Sequence, residues 1–370
     1  MSLEVPYFDL KRQSSSLAPE IEEALRRVIS EAAFSSGPFV AAFEQEFARH
    51  IGCRHVVCVN SGTSALHLAL LAMQLPEGAE VITTPMSFVA TCWGISYCGL
   101  KPVFVDIDPR TGLIDLERVA AAVTPRTRVL LPVHLYGNAV DPRRLREVAD
   151  AHGLRVLEDA AQAHGTLHGG RHVGHSFASG AFSFYPGKSL GGYGEGGALV
   201  TDDDSTAAAA RRLRDHGSSV RYHHEELGFN YRMDGIQAAV LSVKLRRLEE
   251  WILRRREIAR QYDEAFRDLS LRLPVQADGA RHSYHLYVIG TPARDALAEH
   301  LQQRGVGTAR HYPVPLHLQK AYAFLGHKPG DFPHAERHAA ECLSLPMFPE
   351  MTQQEISSVI GAVRSFHEQR

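Results

Sequence analysis

The sequence lacks a hydrophobic run long enough to cross a membrane. Its longest apolar stretch, residues 65–75, is about half the roughly 20 residues that a spanning helix requires. Residues 1–6 contain no basic segment followed by an apolar core, so we expect no secretory signal. These absences predict a protein without a membrane anchor or a membrane partner, and they make residues 65–75 a candidate buried helix.

Cysteine is scarce and charge is balanced. The five cysteines are odd in number and none lies in a Cys-x-x-Cys motif, which favours free thiols in a reducing cytoplasm. None of the 21 histidines lies in a His-Glu-x-x-His motif or beside cysteines at zinc-ligand spacing, so we predict no structural metal. A formal net charge of −2 disfavours binding to nucleic acid or to a membrane surface.

Over the first 230 residues, short apolar segments alternate with helical patterns. The predicted strands are residues 55–59, 80–84, 102–105, 128–133, 155–158, 180–184 and 198–201. The predicted helices are residues 19–30, 38–51, 65–75, a segment starting near 87, 115–123 and 141–152. This alternation predicts an α/β domain around a largely parallel sheet, with helices on both faces.

The pattern changes after about residue 230. Residues 233–269 contain no proline and carry apolar residues at helical spacing among many Arg and Glu residues, which predicts one long helix, straight or bent, that passes from the large domain into a second one. A strand at 283–290 and helices at 292–304 and from 352 predict a small α+β domain. We therefore divide the chain into a large domain, residues 1–245, and a small C-terminal domain, residues 246–370.

The end of the first predicted strand carries a candidate phosphate site. In an open α/β sheet, ligands bind at the carboxyl ends of the strands. Residues 60–66, with the sequence NSGTSAL, place glycine and hydroxyl residues at the start of a helix. The free amides and the dipole of a helix N-terminus attract phosphate. The alternative is that Ser61 or Thr63 only caps the helix.

Two further strand ends supply a carboxylate and an amine. Asp159, in the sequence EDAAQAH, follows an apolar strand, where it would need a partner such as a protonated pyridine nitrogen. A helix cap or a core salt bridge is the alternative. Lys188 ends the sequence SFYPGK, where partial burial would make its amine nucleophilic, and a solvated loop lysine is the alternative. A phosphate site, an aspartate and a lysine, in this order, are expected for pyridoxal phosphate.

These motifs resemble those of the DegT/DnrJ/EryC1/StrS family, which are pyridoxal-phosphate-dependent nucleotide-sugar aminotransferases. The similarity includes residues 194–198, 228–239 and 311–317, and it extends from about residue 5 to the C-terminus. It implies the aspartate-aminotransferase-type fold, with a large domain around a seven-stranded, mostly parallel sheet and a smaller α+β domain. It also implies a homodimer with shared active sites.

The resemblance implies a role for each cofactor-binding residue. Lys188 would form the Schiff base with pyridoxal 5′-phosphate, and Asp159 would pair with its ring nitrogen. Phe88 would stack on the ring, and Gln162 would contact the ring hydroxyl. The phosphate would be held by Gly62, Thr63, Ser183 and, from the partner subunit, Asn230.

The implied sugar-binding residues lie nearby in the motifs. They are Tyr185, His311 and Tyr312. The alternative for His311 and Tyr312 is ordinary turn packing before Pro313.

The activity that the resemblance implies is transfer of an amino group from an amino acid, with L-glutamate as the expected donor. The acceptor would be a keto sugar linked to a nucleoside diphosphate, aminated at C3 in deoxyamino-sugar biosynthesis. Family members that dehydrate their substrate have histidine at the lysine position, so Lys188 favours transamination. The alternatives are a 4-keto nucleotide sugar, a keto cyclitol, or a non-catalytic regulatory protein with this fold.

Overall fold

The computed structural model describes residues 4–368. Its helices are α1 (Leu10–Ser30), α2 (Gly37–Ile51), α3 (Gly62–Ala72), α4 (Ala90–Tyr97), α5 (Val119–Ala122), α6 (Pro142–Ala151), α7 (Asp204–Arg214), α8 (Gly235–Leu245), α9 (Leu248–Phe266), α10 (Arg294–Gln303), α11 (Pro333–Glu341) and α12 (Gln353–Glu368). Its strands are β1 (His55–Val59), β2 (Glu80–Thr83), β3 (Lys101–Phe104), β4 (Thr127–Leu130), β5 (Arg155–Asp159), β6 (Leu167–His168), β7 (Arg171–His172), β8 (Ser179–Ser183), β9 (Gly197–Thr201), β10 (Ser218–Val220), β11 (His223–His224), β12 (Ala280–Arg281), β13 (Tyr287–Gly290) and β14 (Cys342–Leu345).

A seven-stranded sheet forms the centre of the molecule, with the strand order β1-β9-β8-β5-β4-β2-β3. Strand β9 runs antiparallel to both of its neighbours, β1 and β8, and the other pairings are parallel. The sheet is therefore mostly parallel, which confirms the predicted α/β fold. Parallel strands bring their carboxyl ends to one edge, and this edge positions the candidate site.

Both faces of the sheet are covered by helices. Along β1, Val57 and Val59 belong to one apolar cluster together with α3, and Val56 and Cys58 belong to another together with α2. Successive side chains of a strand point to opposite faces, so the uninterrupted apolar sequence of β1 serves both clusters. Helix α3 is itself enclosed, with residues 64–70 all buried, as the apolar stretch predicted.

The C-terminal region has its own apolar core. Helices α9, α10 and α12 contribute residues to it, and β13 pairs with β14 in an antiparallel two-stranded sheet. The long helix predicted at residues 233–269, straight or bent, is divided in the structure: α8 ends at Leu245 and α9 begins at Leu248, while Arg246 and Arg247 between them keep right-handed helical dihedral angles. The division of the chain after residue 245 falls at this break and stays a proposal.

No helix within residues 4–368 is both long enough and apolar enough to cross a membrane. The five cysteines are free thiols.

Candidate active site

The carboxyl ends of β1, β5 and β8 border a cavity of about 600 Å³. Most of the residues that the sequence singled out for chemistry line this cavity together. They are Gly62, Thr63, Phe88, Asp159, Gln162, Ser183, Tyr185, Lys188, His311 and Tyr312. Asn230 is not among the lining residues.

Helix α3 starts at the cavity wall and presents its first amides there. Ser61 is the N-cap, and its Oγ accepts a 3.0 Å hydrogen bond from the amide of Ser64. The amides of Gly62 and Thr63 precede the first intrahelical donor, so an anion in the cavity would satisfy them. A Cβ on Gly62 would lie 2.7 Å from Cβ of Ser183, so only glycine allows α3 to approach β8 this closely. Capping by Ser61 and phosphate binding are therefore compatible.

Asp159 is the last residue of β5 and is buried. Its Oδ2 accepts a 2.8 Å hydrogen bond from Oγ1 of Thr91, and its Oδ1 accepts a 3.1 Å bond from the amide of Ala161. Burial raises the pKa of Asp159 above its ordinary value, whereas the Thr91 bond lowers it. These bonds orient the carboxylate without neutralising it, which leaves it available to a cationic ring nitrogen.

Lys188 follows β8 in a tight turn, where its amide donates to the carbonyl oxygen of Tyr185 at 2.8 Å. Burial lowers the pKa of Lys188 to about 8, although the negative charge of Asp159 opposes the shift. A larger fraction of the amine is therefore uncharged near neutral pH than for a solvated lysine. The solvated-loop alternative does not account for this environment.

Gln162 has its amide group held on two sides. Its Oε1 accepts a 2.8 Å hydrogen bond from the amide of Tyr136, and its Nε2 donates to the hydroxyl of Tyr312 at 3.0 Å. The ring centroid of Phe88 lies 5.7 Å from that of Tyr312, and Phe88 is 49% exposed. A half-exposed aromatic ring at a cavity wall offers a face for stacking.

The candidate sugar-binding residues lie on the same cavity. Tyr185 is 54% exposed and lines the cavity. His311 stacks on Tyr7 at 5.9 Å, and its Nδ1 lies 2.7 Å from Oγ of Ser344. Burial lowers the pKa of His311 to about 4 and raises that of Tyr312, so both are neutral near pH 7. His311 thus has packing partners and also faces the cavity.

Asn230 lies outside the cavity of its own chain. It is exposed, and its carbonyl oxygen accepts a 3.4 Å hydrogen bond from Nδ2 of Asn60. The neighbouring Tyr231 accepts a bond from the amide of Asn60, which ties this segment to the end of β1. Its predicted contact with the phosphate of another subunit stays a prediction.

The sequence did not reveal four further residues of the cavity wall: Tyr7, Thr91, Arg255 and His285. Thr91 had a weak signal, since it follows Phe88 by three positions at the start of α4 and therefore shares its side of the first turn. The other three come from segments with no motif, so no local pattern could have identified them.

The lining residues fit pyridoxal phosphate at each of its three anchoring points. The first amides of α3 suit the phosphate, the carboxylate of Asp159 suits a protonated ring nitrogen, and the amine of Lys188 suits the aldehyde. No cluster of three or more His, Cys, Asp or Glu side chains within residues 4–368 is arranged to hold a metal ion.

Comparison with known proteins identifies the family. The model of the DegT/DnrJ/EryC1/StrS aminotransferase family matches residues 15–364. A "pleiotropic regulatory protein" from Geobacillus stearothermophilus is 43% identical over 369 residues, which cover 99% of each chain. A dTDP-3-amino-3,4,6-trideoxy-alpha-D-glucose transaminase from Streptomyces venezuelae is 43% identical over 365 residues, 98% of this chain and 96% of the relative.

A solved structure is similar over the same length. The crystal structure of S. venezuelae DesV in complex with a ketimine intermediate has a TM-score of 0.97 and 43% identity, covering 99% of each chain. This chain therefore belongs to the DegT/DnrJ/EryC1/StrS aminotransferase family, and its cofactor is pyridoxal 5′-phosphate.

Proposed function

We propose that this enzyme transfers the amino group of an amino acid, with L-glutamate as donor, to C3 of a keto sugar linked to a nucleoside diphosphate. The product would be a deoxyamino sugar nucleotide. The main support is that one cavity joins Lys188, Asp159 and the start of α3 to the polar side chains of Tyr185 and His311. The transaminase relative from S. venezuelae, whose name specifies a 3-amino sugar, supports the carbon position.

Lys188 would carry out two steps. When bound, pyridoxal phosphate supplies an aldehyde that carries the amino group and a ring that withdraws electrons. The lowered pKa of Lys188 leaves part of its Nζ uncharged near neutral pH, so this amine would hold the aldehyde and would accept the proton from Cα of the donor. Asp159 would keep the proton on the ring nitrogen, because its carboxylate is held in place by Thr91. Reduction with borohydride should fix the cofactor to Lys188 and to no other lysine.

The remaining cavity residues would bind the two ends of the ligands. Gly62, Thr63 and Ser183 would bind the phosphate, Phe88 would stack on the ring and Gln162 would contact its hydroxyl. Tyr185, His311 and Tyr312 would contact the sugar, where neutral hydroxyl and imidazole groups can hydrogen-bond sugar hydroxyls.

The assembly that we propose is a homodimer with Asn230 of each subunit reaching the phosphate in the other. The exposed position of Asn230, outside its own cavity, supports this arrangement. Free thiols at all five cysteines support a cytoplasmic location.

A panel of acceptors tests the function. The enzyme in its pyridoxamine form should be mixed with 3-keto and 4-keto sugar nucleotides and with a keto cyclitol, and its absorbance followed. We expect rapid return to the pyridoxal form with a 3-keto sugar nucleotide. If the enzyme returned to the pyridoxal form faster with a 4-keto sugar nucleotide or a keto cyclitol, that compound would be the preferred acceptor and the proposed substrate would be wrong.

A regulatory function is the second candidate, because a close relative is named as a regulatory protein. A regulatory protein would show no amino transfer with any acceptor or donor, even with the cofactor bound at Lys188. Turnover with any member of the panel would exclude a purely non-catalytic function.

A further inference from the structure

Arg255, on α9, is buried in the cavity wall, and within residues 4–368 no carboxylate forms a salt bridge with it. The residue is 3% exposed, and among residues 4–368 its guanidinium donates only to main-chain carbonyl oxygens. Nη1 donates hydrogen bonds to the main-chain carbonyl oxygens of Tyr284, His285 and Met347 at 3.3, 3.3 and 2.7 Å. Nε has no hydrogen-bond partner in the described part of the chain. Burial lowers the pKa of Arg255 and the negative charge of Glu350 opposes this shift from a distance, but no described carboxylate contacts the guanidinium. A buried cation without a direct ion pair is unfavourable, which makes this position suited to an incoming anion.

The other fixed charges of the cavity are already assigned. Lys188 serves the cofactor aldehyde, and Asp159 serves the ring nitrogen. Glu195 also lines the cavity, but it is exposed and is an acidic residue, which does not bind an anion. Among the described lining residues, Arg255 is therefore the one arginine or lysine that the cofactor does not use.

His285 contacts Arg255 and lines the same cavity as Lys188. Its carbonyl oxygen accepts from Arg255, and its ring lines the same cavity. Burial lowers the pKa of His285, and the positive charges of Lys188 and Arg255 lower it further. Lys188, His285 and Arg255 all line the one cavity, so a ligand that reaches Lys188 enters the same space as Arg255.

We propose that Arg255 binds a carboxylate of the amino-acid donor. The inference rests on the proposed function, since it assumes an amino acid whose amino group reaches Lys188. The planar guanidinium would donate charge-assisted hydrogen bonds to the carboxylate from its unpaired face. The same contact would hold the 2-oxo acid product, because transamination leaves the carboxylates of the donor unchanged.

A diphosphate is the other anion that enters this cavity. Arg255 is almost fully buried, whereas the diphosphate is followed by a bulky nucleoside that needs an open path. A terminal carboxylate on a short chain reaches a buried cation more readily. Burial therefore favours the amino acid over the nucleotide as the ligand of Arg255.

The test separates the two half-reactions. Arg255→Met and Arg255→Lys are compared with Arg254→Met, a neighbour on α9 that donates to the carbonyl oxygen of Met351 and does not line the cavity. Arg255→Met should raise the half-saturating glutamate concentration by about 10- to 100-fold, the usual effect of losing a charged hydrogen bond. Arg255→Lys should give a smaller rise. The half-saturating keto sugar concentration should stay unchanged in both.

Binding of glutarate by calorimetry gives a readout without turnover. The holoenzyme should bind this dicarboxylate, Arg254→Met should bind it equally well, and Arg255→Met should not. Unchanged glutarate and glutamate binding in a folded Arg255→Met variant would overturn the proposal. If only the half-saturating concentration of the keto sugar rose, the proposal would be wrong and Arg255 would instead bind the diphosphate.

Two outcomes keep this inference distinct from the proposed function. If no keto sugar is aminated but glutarate binding still requires Arg255, the acceptor proposal fails and the carboxylate site stands. If Arg255→Met does not fold, the wild-type enzyme is tested with norvaline and with 4-aminobutyrate, each of which lacks one carboxylate of glutamate. If norvaline and 4-aminobutyrate were both converted as efficiently as glutamate, the proposal would be overturned. A marked loss of conversion efficiency with either compound would support it.

Discussion

Oγ1 of Thr91 donates a 2.8 Å hydrogen bond to Oδ2 of Asp159. Ser87 extends this contact, since its Oγ lies 2.7 Å from Oγ1 of Thr91. Because an ionised Asp159 can only accept, Thr91 donates to it and Ser87 then donates to Thr91. The chain of hydroxyls thus favours the charged carboxylate at a position where burial favours the neutral acid.

Replacing Thr91 by valine should lower kcat/KM by about 10- to 100-fold, since a hydrogen bond to a charged group contributes ~1.5–3 kcal/mol. The Thr91 bond lowers the pKa of Asp159, so its loss should raise that pKa further. The acid limb of the pH–rate profile should therefore move to higher pH. Thr83→Val removes another buried hydroxyl, which donates to the carbonyl oxygen of Leu131, and should leave the acid limb unchanged. An unshifted limb in Thr91→Val would contradict the role of Thr91.

Lys188 should react as an amine with a pKa near 8. In the cofactor-free protein, labelling of Lys188 by acetic anhydride, followed by mass spectrometry, should be half-maximal at about pH 8. Below this pH the amine is protonated and unreactive. The charge of Asp159 raises the pKa of Lys188, so Asp159→Asn should move the midpoint to lower pH. A midpoint near pH 10.5, the ordinary value, in the wild type would argue against burial of this amine.

Gly62→Ala should weaken cofactor binding by at least about tenfold, or ~1.4 kcal/mol. The added Cβ would lie 2.7 Å from Cβ of Ser183, so α3 or β8 must shift where the phosphate binds. The dissociation constant for pyridoxal phosphate measures the effect. Gly361→Ala, on α12, is the control, because its Cβ would meet nothing within 4 Å and helical alanine is more stable than glycine. Equal affinities of the two variants for pyridoxal phosphate would rule out a phosphate-binding site at Gly62.

Mixing two inactive variants should restore activity if the sites are shared. A Lys188→Ala chain and an Asn230→Ala chain would each be inactive alone. In a hybrid dimer, one site would carry both defects and the other neither, so that mixtures should recover up to about a quarter of wild-type activity by random pairing. Native mass spectrometry confirms that hybrids form. Hybrids without recovered activity would place Asn230 outside the partner's site.

The strands were predictable because strands that are buried on both faces consist of short runs of apolar residues. Residues 55–59 were predicted as a strand, and the structure has His55–Val59, since burial on both faces demands an apolar run. Helix α1 was predicted to begin at 19 and begins at Leu10, after the N-cap Asp9. Its first turns are polar and bury only Leu17 before Pro19, so apolar periodicity could not reveal them.

The break between α8 and α9 and the burial of Arg255 depend on tertiary packing, which the local sequence pattern does not show. The break between α8 and α9 falls at Arg246 and Arg247, charged residues that leave the apolar spacing of the sequence intact, so the pattern could not locate it. The place of Asp159 and Lys188 in the cavity wall was predictable because each lies at or just beyond the end of an apolar strand. Arg255 was not, because it lies in an arginine-rich stretch of α9, where only burial distinguishes it from its neighbours.

The reversed strand β9 sets the order in which the active site can form during synthesis. Strand β1 is at the edge of the sheet and joins it through β9, which lies between β1 and β8. The phosphate end of the site follows β1 and the lysine follows β8, but the strand that connects them is completed only at Thr201. A nascent chain that stops short of Gly197 would hold both ends without their common neighbour. We therefore expect the phosphate and lysine ends of the site to be joined only in chains that extend past Thr201, after these distant pairings have formed.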